Sequence, residues 1–107
     1  MQSLLAERRD ITALFCGSDI LAAGALFECK QQGIAVPDDL SVVGFDNLEI
    51  AAFTDPPLST LNVPAHDMGV EAAKYIIDGR NRGAAKRIEI NVEFVDRKTT
   101  SPPRNII

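Results

Sequence analysis

A carboxylate and a carboxamide, Asp46 and Asn47, stand directly behind the apolar run Val42-Val43-Gly44-Phe45. A short run rich in β-branched residues reads as a strand covered on both faces. In open α/β sheets, ligands lie beyond the carboxyl ends of the strands. At such a place Asp46 can accept two hydrogen bonds, from vicinal hydroxyls or from a purine-like donor edge. It can equally cap the following turn through an Asx-type bond to nearby backbone. Asn47 reads as a turn residue. A second polar cluster, Gly17-Ser18-Asp19, follows the apolar run Ile11–Cys16, which reads as another buried strand. Cys16 and Ser18 are nucleophile types, but a nucleophile needs an oriented base within hydrogen-bond reach. The one histidine, His66, falls in the first turn of a later helix and reads as solvated. The sequence has no G-x-S-x-G elbow, no Gly-rich phosphate loop and no Cys/His metal-ligand spacing. These residues point to binding rather than to an enzyme, with no catalytic residue, metal or cofactor expected.

The elements that must position the two clusters are legible around them. From Ile20 to Gln32 the chain is rich in Ala and Leu, and Ser18 or Asp19 can cap its exposed N–H groups. Asp19 is assigned mainly to that capping. Gly33 supplies a left-handed stop, Ile34 folds back on the last turn and Pro37 follows. The stretch "DDLSVVGFD" is the next strand, completing a βαβ unit with a right-handed crossover. Leu4, Leu5 and Arg8–Asp10 read as the tail of a preceding helix. Ile20, Leu21, Ala22, Ala23, Ala25, Leu26, Phe27 and Cys29 surround nearly the whole circumference of the helix after Ser18. A helix apolar all round is covered on more than one side.

Beyond Asp46, residues Asn47 to Thr54 form a short helix or an irregular turn, and Pro56 and Pro57 impose extended geometry. Leu58 to Val63 suits an extended crossing segment. Pro64 opens a helix to Asp78 with Gly79 as its stop; Gly69, Ala72, Ala73, Ile76 and Ile77 make its apolar stripe. Arg80 to Arg87 is a solvated basic turn, Ile88 to Val95 an edge strand, and the tail from Ser101 is expected to fray. Phe15, Phe45 and Phe53 are read as packing residues.

A length of 107 residues is about one small domain, and 46% apolar with 24% charged residues excludes disorder. The net charge of −4, without a basic block, excludes a grip on nucleic acid by this chain itself. No apolar run approaches the ~18 residues of a membrane span, and Met1–Leu5 has no signal-peptide pattern. Cys16 and Cys29 read as buried thiols of a reducing compartment, so the cytoplasm is expected.

"ITALFCGSDILAAGALFECKQQGIAVPDDLSVVGFDN", then "PPLSTLNVPAHDMGVEAAKYI" and "FVDRKTT", resemble the C-terminal part of lactose-repressor-type (LacI/GalR) transcription regulators from about Leu4 to Thr100. The resemblance implies an α/β fold like that of a periplasmic sugar-binding protein, with two lobes between which the chain passes three times. Residues 1–100 would be the C-terminal part of an effector-binding and dimerisation domain, and 101–107 a tail. Within it, 11–60 would lie in the C-terminal lobe and 64–90 in the N-terminal lobe. The helix-turn-helix head and most of the N-terminal lobe would be absent from this chain, so the operator would be met only through that missing head. The Asp of the "GFD" motif, here Asp46, would contact a sugar-like effector. Ser18 stands where many members carry an effector-touching Asn. The helix Asp19 to Gln32 and the segment Leu48 to Phe53, through Ile20, Ala23, Phe27 and Phe53, would form a homodimer contact. The alternative in a different class is the solute-binding protein of a transporter, which shares the two-lobed core.

Overall fold

The computed structural model describes residues 1–79, 83 and 85–105. Its first half is a βαβ unit. Strand β1 (Ala13–Phe15) leads into helix α2 (Asp19–Gln31) and returns as β2 (Ser41–Val43), with a short helix α1 (Gln2–Glu7) in front. β1 and β2 pair in parallel, Leu14 opposite Val42. Parallel bridges Val43–Ser59 and Asp46–Asn62 then lay the next extended segment along the other side of β2. β2 is thereby the middle strand, and Leu40, Ser41 and Val42 are buried, as its unbroken apolar run requires.

α2 buries Ala22, Ala25, Leu26 and Cys29, the i, i+3, i+4, i+7 stripe of a helix lying on a sheet. Its other side leaves Ile20, Leu21 and Phe27 about three-fifths exposed, at 59%, 63% and 65%. The helix stops as its residues dictate. Gly33 takes φ +70°, and Ile34 N–H donates to the Cys29 carbonyl at 2.8 Å, returning Ile34 to the core.

The second half comprises a 3₁₀ turn (Glu49–Ala52), β3 (Thr60–Asn62), α3 (Ala65–Asp78) and β4 (Glu93–Val95). β3 and β4 pair antiparallel over three residues each. Gly79 ends α3 in the left-handed region, as expected. The apolar stripe of α3 is left largely uncovered among the described residues: no residue of this helix is buried, Ile76 and Ile77 are 77% and 82% exposed, and Ala72 and Ile76 face only an open cleft shared with Ile88. The radius of gyration is 18.0 Å, against about 13 Å for a compact domain of this length. The chain is elongated, 58 × 26 × 23 Å, rather than one closed globule.

Several expectations need correction. The run Ile11–Cys16 is not a strand buried on both faces. Ala13 and Phe15 are exposed because β1 pairs with β2 on one side alone. Phe15 sits edge-on to the half-buried Phe45, ring centres 6.4 Å apart, and Phe53 is 77% exposed, so neither Phe15 nor Phe53 is a core packing residue. α1 ends at Glu7, and Arg8 forks instead onto the Asp10 carboxylate at 2.8 and 2.9 Å. Pro64 is the N-cap of α3, one position before its first turn. The ladder of β4 covers Glu93–Val95 only, since β3 offers three partners, and Ile88–Val92 lie outside it. The tail is docked as far as Arg104. Arg104 donates to the carbonyls of Ile11 (3.0 Å), Arg9 (2.6 Å) and Asp39, and Ser101 N–H donates to Ser41 Oγ at 3.1 Å. Part of the basic turn expected at Arg80–Arg87, residues 80–82 and 84, lies outside the described residues.

Candidate functional site

The turns that follow β1 and β2 lie side by side. Asp19 N–H donates to the Phe45 carbonyl at 3.1 Å, which joins the Ser18 turn to the Asp46 turn at the carboxyl ends of the parallel strands. Ser18 is the N-cap of α2, its Oγ accepting from Leu21 N–H at 3.2 Å. Asp19 is not the cap. Its carboxylate, fully buried, accepts from Leu48 N–H at 2.6 Å and from the Thr60 hydroxyl at 2.5 Å. One side chain thus ties the start of α2 to the chain after Asp46 and to β3. Gly44 makes room for it, because a Cβ there would collide with Asp19 Oδ1 and lie 2.9 Å from Leu58.

Held on this bracket, Asp46 and Asn47 turn with φ +109° and +57°, a conformation uncommon for residues other than glycine. Asp46 N–H donates to the Leu61 carbonyl at 2.9 Å. The Asp46 side chain is half-buried, and its carboxylate accepts no hydrogen bond from any described residue, so the Asx-type bond is not made. Asn47 is more than a turn residue. Its Nδ2 donates to Asn62 Oδ1 at 3.0 Å, and its Oδ1 accepts from Arg97 at 2.9 Å. Arg97 and Asn62 went unassigned in the sequence, although Arg97 lies in the quoted "FVDRKTT"; an arginine just past a strand that meets the strand carrying "PPLST" was the available signal.

Of the residues expected at a dimer contact, Ile20, Phe27 and Phe53 are exposed and Ala23 is half-buried. Ala23 and Phe27 line one cleft with Thr54 and Asp55, about 220 Å³ in volume, so the outer side of α2 and the end of the 47–54 segment form one surface. Lys30 reaches Asp55 at 3.1 Å across it, an exposed pair of small energetic weight. Cys16 and Cys29 are buried free thiols. Burial pushes both thiols up, the charges of Glu28 and Cys16 adding to the effect at Cys29, which leaves little thiolate to act as a nucleophile. His66 is exposed on α3. No group of three or more metal-binding side chains gathers among the described residues, and none of their helices is long and apolar enough to cross a membrane.

Residues 2–100 match the family model of the periplasmic binding protein-like domain. The chain is 42% identical over 103 residues to the HTH-type transcriptional repressor CytR of Escherichia coli K12, covering 94% of this chain and 30% of that protein. In structure it is similar to a LacI family transcriptional regulator from Silicibacter pomeroyi, with 33% identity and a TM-score of 0.81 over 92% of this chain and 36% of that one. It is also similar to the complex of the transcriptional regulator CelR with cellobiose, with 28% identity and a TM-score of 0.80 over 92% of this chain and 31% of that one. The chain therefore spans about a third of the length of the relatives it matches.

Proposed function

The chain belongs to the periplasmic binding protein-like domain family, in the form that LacI-type transcription regulators carry, and from that premise we propose that it is the effector-sensing and dimerisation part of such a regulator. The observation that carries the reading is the Asp46 carboxylate. It stands at the carboxyl end of the middle parallel strand, with no partner among the described residues, beside the Ser18 turn. An unpaired carboxylate there suits a ligand that offers paired donors, such as the vicinal hydroxyls of a sugar or the donor edge of a purine-like base. Ser18 Oγ, occupied as an acceptor in its cap, still has its O–H to donate.

In this reading 11–60 form the C-terminal lobe, 64–90 belong to the N-terminal lobe, and 101–107 are a tail, of which Ser101 and Arg104 dock on the first lobe. The outer side of α2 with Phe53 meets the same surface of a second copy, an isologous contact that buries Ile20 and Phe27. Paired heads elsewhere in the longer protein then read a two-fold operator in the cytoplasm, and effector binding shifts their affinity as a coupling free energy between two sites. The matches to transcription regulators favour this over a transporter's solute-binding protein or an enzyme.

The test is a thermal-shift screen of the full-length protein against monosaccharides, cellobiose and purine nucleosides, repeated with Asp46→Ala. A ligand that stabilises the wild type and not the variant is the expected result; equal stabilisation of both removes Asp46 from the site. For the contact, Ala23→Glu is expected to halve the sedimenting mass, and an unchanged sedimentation coefficient would overturn that assignment.

A further inference from the structure

Asn47 is the point at which two separate passes of the chain close on the Asp46 turn. From β3 comes Asn62, whose Oδ1 accepts from Asn47 Nδ2 at 3.0 Å. From the segment after β4 comes Arg97, whose Nη2 donates to Asn47 Oδ1 at 2.9 Å. Arg97 is itself fixed twice more: Nη1 donates to the Leu58 carbonyl at 2.8 Å, and its backbone N–H donates to Ser59 Oγ at 2.9 Å. A planar guanidinium can serve two acceptors at once in a rigid fork, which the single ammonium of a lysine does not reproduce.

We propose that Arg97 and Asn47 form a positioning clamp that holds the Asp46–Asn47 turn in its positive-φ conformation and so aims the Asp46 carboxylate. The need for a clamp lies in the backbone. Two consecutive non-glycine residues at φ +109° and +57° persist only where surrounding bonds over-determine them. Asp46 N–H to Leu61 and Leu48 N–H to Asp19 fix the two ends of the turn. Asn47 fixes its middle, its backbone N–H donating to Thr60 Oγ1 at 3.4 Å and its side chain spanning β3 and the chain after β4. Arg97 thus acts on the ligand site through Asn47, and any change in the spacing of those two passes reaches Asp46. The inference rests on the reading of Asp46 as the effector contact.

The experiment is amide hydrogen exchange, read by mass spectrometry on the full-length protein without ligand, for wild type, Arg97→Lys, Asn47→Gly and the double variant. Exchange across residues 44–48 is expected to rise about fivefold in Arg97→Lys, the loss of one net hydrogen bond, with α2 unchanged. The double variant should exchange no faster than the faster single one, because both substitutions cut the same link. Unaltered exchange in Arg97→Lys, or single effects that multiply in the double, would overturn the clamp. If Arg97→Lys loosens α2 as well, Asn62→Ala attacks the clamp from β3, and the same local rise is expected; its absence counts against the proposal. No ligand enters these measurements, so the clamp and the effector reading fail separately, the latter only in the Asp46→Ala titration.

Discussion

Around Asp19 three segments of chain, the start of α2, the chain after Asp46 and β3, converge on one buried carboxylate, whereas α3 runs for 14 residues without burying any of them. Both helices are specified locally, α2 by its Ser18 cap and Gly33 stop, α3 by Pro64 and Gly79. They differ in what lies across from their apolar stripes. Ala22, Ala25, Leu26 and Cys29 of α2 meet Leu40, Val42 and Leu58, but Ile76 and Ile77 of α3 meet solvent. Local signals are enough to define an element; they do not supply its partner. A helix of this length is marginal alone in water, so the α3 region has little of the cooperativity that the Asp19 region has.

The largest expected effect comes from breaking the better-packed region. Asp19→Ala leaves the Leu48 N–H and the Thr60 hydroxyl without an acceptor, and buried unpaired groups cost about 1–3 kcal/mol each. A loss of about 3 kcal/mol is expected from the urea midpoint and slope, with Asn at the same position losing less because its carbonyl oxygen still accepts. A loss under about 1 kcal/mol would mean that water replaces the carboxylate, and the contrast between the two regions would shrink accordingly.

Much of this architecture is visible in the sequence because it rests on short-range chemistry. The parallel βαβ unit follows from two apolar runs with a capped, glycine-stopped helix between them; the apolar residues round α2 predicted cover on more than one side, of which this chain supplies one. Asp46 could be singled out from its place behind a strand. Asp19 was misassigned because capping is the local preference of an Asp before a helix, while its actual partners, Leu48 and Thr60, are 29 and 41 residues away. Arg97 and Asn62 were missed for the same reason, since their meeting at Asn47, across 50 and 15 residues, follows only once β3 is paired with β4. The tail was misread because Arg104 is held by carbonyls 65 to 95 residues upstream.

A second, smaller effect separates the regions by pH. The thiols of Cys16 and Cys29 lie in the first region, and burial raises both above the ordinary 9.0. The unfolded thiols ionise first as pH rises, so their contribution to stability is whole below pH 9.0 and is lost as pH climbs through the folded values. The Tm of the wild type should therefore fall on the alkaline side. Cys29→Ala should begin lower, having lost buried sulfur, and fall less steeply. Parallel declines in the two proteins would place the alkaline loss elsewhere.

The smallest effect belongs to α3, and its smallness is the point. Ile77 is 82% exposed, so truncation to Ala removes almost no buried surface and exchanges one residue for a better helix former. In the 107-residue chain Ile77→Ala should shift the urea midpoint by the equivalent of under about 0.5 kcal/mol in either direction. In a longer protein whose additional chain covers this stripe, the same substitution becomes a core truncation costing about 2–5 kcal/mol. The difference between the two contexts measures how much of the cover comes from outside these residues. A large loss in the short chain would mean that a second copy already packs on α3. Dependence of that loss on protein concentration would identify the copy, and the contrast with the Asp19 region would then be one between contacts within a chain and contacts between chains.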